Sequence, residues 1–186
     1  LIVSVFTLAL MVSPAFAAKW NAVDRVSTVG KAIITKNALP AKTTFKVVNG
    51  TADNSGTSLT NVIQISSTDL TYAGNDSEVA AVIANEMGHI INGTYSKNQM
   101  RNVAKNAITS KLSSENIITT AANSEFLANK TNLSDEKAAD ITGVDLLAKT
   151  NYNPLAMIVV ITKRPGSTLE ALQGKPSNTE RAMNVY

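Results

Sequence analysis

Residues 75–92 read Asn-Asp-Ser-Glu-Val-Ala-Ala-Val-Ile-Ala-Asn-Glu-Met-Gly-His-Ile-Ile-Asn. Asn75 followed three residues later by Glu78 is a helix start, because the Asn side chain can accept an orphan N–H and the acid can reach back. The spacing predicts a helix to about Asn92, with Gly93 past its end. Val79, Val82, Ile83, Met87 and Ile90 form its apolar face. Asn85 and His89 are four residues apart and lie one above the other. Glu86 sits on the adjoining flank. At about 3.6 residues per turn, the three project within a sector of roughly 100°.

His89 is the single histidine of 186 residues, and there is no cysteine. Thiolate zinc sites, iron–sulfur clusters, disulfides and thiol nucleophiles are therefore excluded. A three-histidine metal site is excluded too, and any histidine chemistry must use His89. The net charge of +3 is too small to argue for nucleic acid. No phosphate-binding glycine loop and no G-x-S-x-G elbow is present.

Outward from the helix, Trp20–Lys36 has Val23, Val26, Val29, Ile33 and Ile34 at helical spacing. Phe45–Val48 and Asn61–Ser66 read as short strands joined by the polar stretch Asn49–Thr60. Downstream, Ser96–Lys111, Glu115–Asn129, Ser134–Lys149 and Pro154–Lys163 are helical stretches. Gly166–Pro176 is a loop, and Asn178–Tyr186 begins another helix. Lys97, Arg101, Lys105 and Lys111 form a basic stripe, read as a solvated helix face.

The 75–92 segment has the geometry of the H-E-x-x-H helix, in which two histidines bind zinc and the glutamate activates the metal-bound water. Here the first histidine position is Asn85. The whole segment resembles the active-site helix of zinc metallopeptidases of the CAAX-prenyl-protease and heat-shock-protease type, family forty-eight of the M series. The resemblance continues in family order. Ser134-Asp135-Glu136-Lys137-Ala138-Ala139-Asp140 is similar to the family's E-x-x-x-D helix, and Leu146–Pro154 to its L-L-x-x-x-G-Y-D-P run. Pro176–Arg181 resembles the closing H-P-x-x-x-x-R segment.

The resemblance implies an α+β, zincin-like metallopeptidase domain, mostly helical, with a small sheet or hairpin beside the active-site helix. It implies zinc as cofactor, Glu86 as general base, and His89 and Glu136 as metal ligands, with Asn85 at the remaining ligand position. Asp140 would support the site from behind the ligands. Ile63-Gln64-Ile65 would be an edge strand that pairs with an extended substrate backbone, so the expected partner is a peptide or unfolded protein. The family often has histidine where this chain has Thr94 and Lys175.

A zinc site of this class needs three protein ligands and an open position. A neutral amide oxygen suits harder cations better than zinc. Two readings stand open. One is a metalloendopeptidase with an unusual Asn85/His89/Glu136 site and reduced or altered activity. The other is an inactive relative that keeps the fold as a peptide-binding or chaperone-like module.

Leu1–Ala17 carries no charge and ends in Ala15-Phe16-Ala17, an A-x-A cleavage pattern. It reads as a bacterial-type secretory signal lacking its basic start, with 18–186 as the metallopeptidase-like domain, truncated at its C-terminus. The expectation is export to the periplasm or medium, with no membrane insertion once the signal is cleaved.

Overall fold

The computed structural model describes residues 20–50, 52–54, 57–94, 134–164 and 178–186. The segments read as signal peptide, as the helices Ser96–Lys111 and Glu115–Asn129, and as the Gly166–Pro176 loop lie outside the described residues, as do Lys97, Arg101, Lys105, Lys111 and Lys175.

Helix α1 spans Ala22–Lys36 and is capped by Asn21, whose side chain accepts the Val23 N–H. Its buried face is Ala22, Val26, Val29, Gly30, Ile33 and Ile34. Strands β1 (Thr44–Val48) and β2 (Val62–Ser66) follow, with Phe45 opposite Ile63 and Val47 opposite Ile65. The Phe45 ring packs against Gly30, where an added Cβ would stand 2.4 Å from it. A one-turn helix, α2 (Ser67–Leu70), leads to helix α3, Asp76–Ile91. Residues 134–148 form α4 within the described residues. Helices α5 (Ala156–Lys163) and α6 (Asn178–Val185) complete the order.

The two strands run parallel, so the hairpin alternative does not hold. Parallel strands cannot be joined by a tight turn; they need a crossover of about a dozen residues or more. The polar stretch 49–61 serves as that crossover. The fold is mostly helical with this small sheet, as an α+β reading requires.

Helix α3 sits in the middle. Asn75 Oδ1 accepts the Glu78 N–H at 3.0 Å, and Asn75 Nδ2 donates to Glu78 Oε1 at 3.0 Å, so the start is secured both ways. Arg25 of α1 grips Asp76 with two hydrogen bonds of 2.8 and 2.7 Å and so pins the first turn. One apolar face was expected, but α3 is buried on nearly every side: Ala80, Ala81, Ala84, Asn85, Gly88 and His89 are covered as well as Val79, Val82, Ile83 and Met87. The cause is α4. Where α1, β2 and α5 pack on the aliphatic side, α4 closes the side bearing the polar residues. Among the described residues, no helix is long and apolar enough to cross a membrane.

Candidate active site

The contact between α3 and α4 is set by small residues. A Cβ on Gly88 would stand 2.3 Å from the Ala139 carbonyl oxygen. On α4, a Cβ on Gly143 would meet the Ala84 backbone at 3.1 Å. The helix backbones therefore approach closely at two successive turns. That approach brings Asn85 and His89 of α3 face to face with Glu136 and Asp140 of α4.

Four of the residues named from the sequence meet there. His89 Nε2 lies 3.4 Å from Glu136 Oε1. Asn85 Nδ2 donates to Asp140 Oδ1 at 2.8 Å, with Asn85 4% and Asp140 0% exposed. The polarity of this bond is dictated by chemistry: an ionised carboxylate only accepts, so the amide must present its N–H. Arg181 of α6 completes the group. Its Nε and Nη2 donate to Asp140 Oδ2 and Oδ1, each at 2.7 Å. Its Nη2 also lies 3.0 Å from Glu136 Oε2. Asn85, Asp140, Arg181, Glu136 and His89 thus form one chain of charge-assisted contacts, buried except at Glu136, whose side chain is one-third exposed.

The titration of these groups follows from the chain of contacts. Burial works against ionised Glu136, but the His89 hydrogen bond and the Arg181 charge outweigh it and push its carboxyl down to about 2. Burial also opposes a charged His89, and Glu136 overcomes it, raising the imidazole. Burial raises Asp140 against the pull of Arg181. Desolvation of Arg181 is outweighed by its hydrogen bonds to Asp140 and the charge of Glu136, so it stays firmly cationic.

Glu86 lies on the same helix but faces another neighbour. Asn54, fully buried in the 49–61 connection, donates Nδ2 to Glu86 Oε2 at 2.9 Å. The same Nδ2 donates to the Gln64 carbonyl at 3.0 Å, and Asn54 Oδ1 accepts the Gln64 N–H at 2.8 Å. Of the three strand residues named from the sequence, Gln64 alone turns its backbone to the outer edge. The Thr44 N–H bonds to the Asn61 carbonyl, which sets the odd-numbered residues of β2 against β1. The Ile63 and Ile65 side chains are in the core. Thr94 is buried just past the end of α3.

Two residues of this region had no role assigned from sequence. Arg181 ended a resembling segment, and its signal was the pair of acids one helical turn apart, Glu136 and Asp140, which a cation can bridge. Asn54 sits in a stretch rich in Asn, Ser and Thr, and nothing there singles it out.

Whether these residues fit zinc is decided by the donor set. The site offers one imidazole and one carboxylate, and that carboxylate is already shared by His89 and Arg181. The third position is an amide whose N–H is spent on Asp140, leaving only a neutral oxygen. Among the described residues, no group of three His, Cys, Asp or Glu side chains could hold a metal. The described residues do not by themselves supply the three ligands of a zinc centre of this class.

No curated protein and no solved structure matches the chain. The family model of Peptidase family M48 matches residues 21–185, nearly the whole length. Members of that family are zinc-dependent. With the match spanning α1 through α6, this chain belongs to the M48 family of metallopeptidases.

Proposed function

We propose that this chain keeps the metallopeptidase scaffold and its peptide-binding strand without a working zinc centre. On this reading it acts after export as a binding module for extended peptide or unfolded protein. The observation that carries the reading is the Asn85–Asp140 hydrogen bond. In place of an imidazole aimed at a metal, the helix presents an amide whose N–H is turned to the supporting acid. Arg181, at the place where the family's closing segment also carries Arg, lies against both Glu136 and Asp140 and is compatible with either reading.

A second reading has its own support. Glu86 is retained and held by a hydrogen bond, and His89 lies against Glu136. These are the base and the two ligands of a peptidase with weak or retuned metal binding.

A labelled casein-derived peptide separates the two readings. The binding reading expects saturable binding and an intact peptide after long incubation with added zinc. Cleavage that disappears in Glu86→Gln would establish the peptidase reading instead.

A further inference from the structure

The outer edge of β2 is occupied by a piece of the chain itself. Val62, Gln64 and Ser66 turn their backbone groups away from β1, and at the central one, Gln64, both N–H and C=O are taken by the Asn54 side chain, at 2.8 and 3.0 Å. A carboxamide carries the same donor and acceptor as a peptide unit. Asn54 therefore makes with Gln64 the pair of bonds that one residue of an added strand would make. Its second amide hydrogen goes to Glu86 Oε2, so one side chain covers both the strand edge and the glutamate beside it.

We propose that Asn54 is an intramolecular latch, a side-chain substitute for peptide that an incoming strand must displace. The proposal rests on the peptide-binding reading given above and adds its regulation. The latch is neutral and its bonds to Gln64 are of the kind that the guest re-forms, so exchange is near balance and a guest of sufficient length can win. Displacement also frees a carboxylate oxygen of Glu86 from the Asn54 amide, which couples occupancy of the strand edge to the state of the neighbouring acid.

The apparent affinity for a guest is lowered by the fraction of molecules with the latch closed, and removing the latch returns that factor. Two variants of the full chain test this. Asn54→Ala deletes the carboxamide. Asn54→Asp keeps its size but has no hydrogen to give the Gln64 carbonyl or the Glu86 carboxylate, and it repels the latter. The probe is a fluorescein-labelled, end-capped octapeptide of alternating valine and threonine, read by anisotropy.

Both variants are expected to bind it about tenfold more tightly than the wild type. Binding at unchanged or lower affinity in the variants overturns the latch while leaving peptide binding in place. Binding by neither wild type nor variants overturns the peptide-binding reading and the latch with it. If a variant does not fold, the wild type decides. On saturation with the peptide, the Asn54 side-chain amide hydrogens should exchange faster and shift in a ¹⁵N spectrum. Unmoved signals at saturation would overturn the latch.

Discussion

Gly88→Ala tests the geometry on which the site depends. An alanine Cβ at this position would stand 2.3 Å from the Ala139 oxygen and 3.0 Å from the Ala139 C and Cα atoms. These are backbone atoms of a packed helix and cannot rotate away. Ordinary contact is at about 3.5 Å, so α3 and α4 must part by about 1 Å locally. His89 and Glu136, now 3.4 Å apart, lie on those two helices within a turn of the contact, and the opening takes them out of hydrogen-bonding reach. Overpacking costs about 1–3 kcal/mol, and the upper end applies where the obstacle is backbone. Alanine returns up to about 1 kcal/mol through its better helix propensity. The net is a loss of about 2 kcal/mol, or roughly 4–8 °C in Tm for a chain of this size. Thermal unfolding followed by circular dichroism measures it. The sign is the discriminating feature, since in open space the same substitution would stabilise a helix. A Tm equal to or above that of the wild type would refute the close crossing of α3 and α4.

Two further outcomes follow from the buried charges. Arg181→Met leaves the fully buried Asp140 with Asn85 as its remaining described donor, and breaking such a pair costs about 3–5 kcal/mol. In denaturant unfolding, Arg181→Met combined with Asp140→Leu should recover most of that loss; a single-variant loss below about 1 kcal/mol would argue against the pairing. The other concerns Glu78. Burial raises its carboxyl, but Lys163 at 2.6 Å, the Gly74 N–H and Asn75 together hold it below 4.5. A carboxylate depressed in the folded state contributes stability that is complete above its unfolded pKa and is lost as pH falls through the folded value. Stability of the wild type should therefore fall below about pH 4.5 more steeply than that of Glu78→Gln. Parallel curves for the two would remove Glu78 from the account.

Much of the architecture is legible in local chemistry. Asn75 and Glu78 mark the start of α3, and the aliphatic spacing of 22–36 marks α1, because capping and burial periodicity are properties of neighbours in sequence. Other features depend on elements far apart. Phe45–Val48 and Asn61–Ser66 read as strands, but such short stretches do not encode direction, so the parallel pairing stayed hidden. The helix Ser67–Leu70 is one turn long, too short to show a period. The spacing of Asn85, Glu86, His89, Glu136 and Asp140 put each set on one helix face. That the amide turns its N–H to Asp140 depends on the α3–α4 crossing, and Gly88 and Gly143 set that crossing through backbone contacts invisible to a pattern of side chains. Asn54 was illegible for the same reason, since its meaning lies in where the crossover between β1 and β2 lays it down.

On the proposed reading, Asn85 leaves this site without a working zinc centre. Calorimetric titration of zinc into the purified chain, beside Asn85→His, tests it most directly. The wild type should show no stoichiometric, tight binding. Asn85→His should bind one zinc per chain, with the imidazole completing three ligands with His89 and Glu136. Tight one-to-one zinc binding by the wild type, or an Asn85→His variant that binds no better, would contradict it.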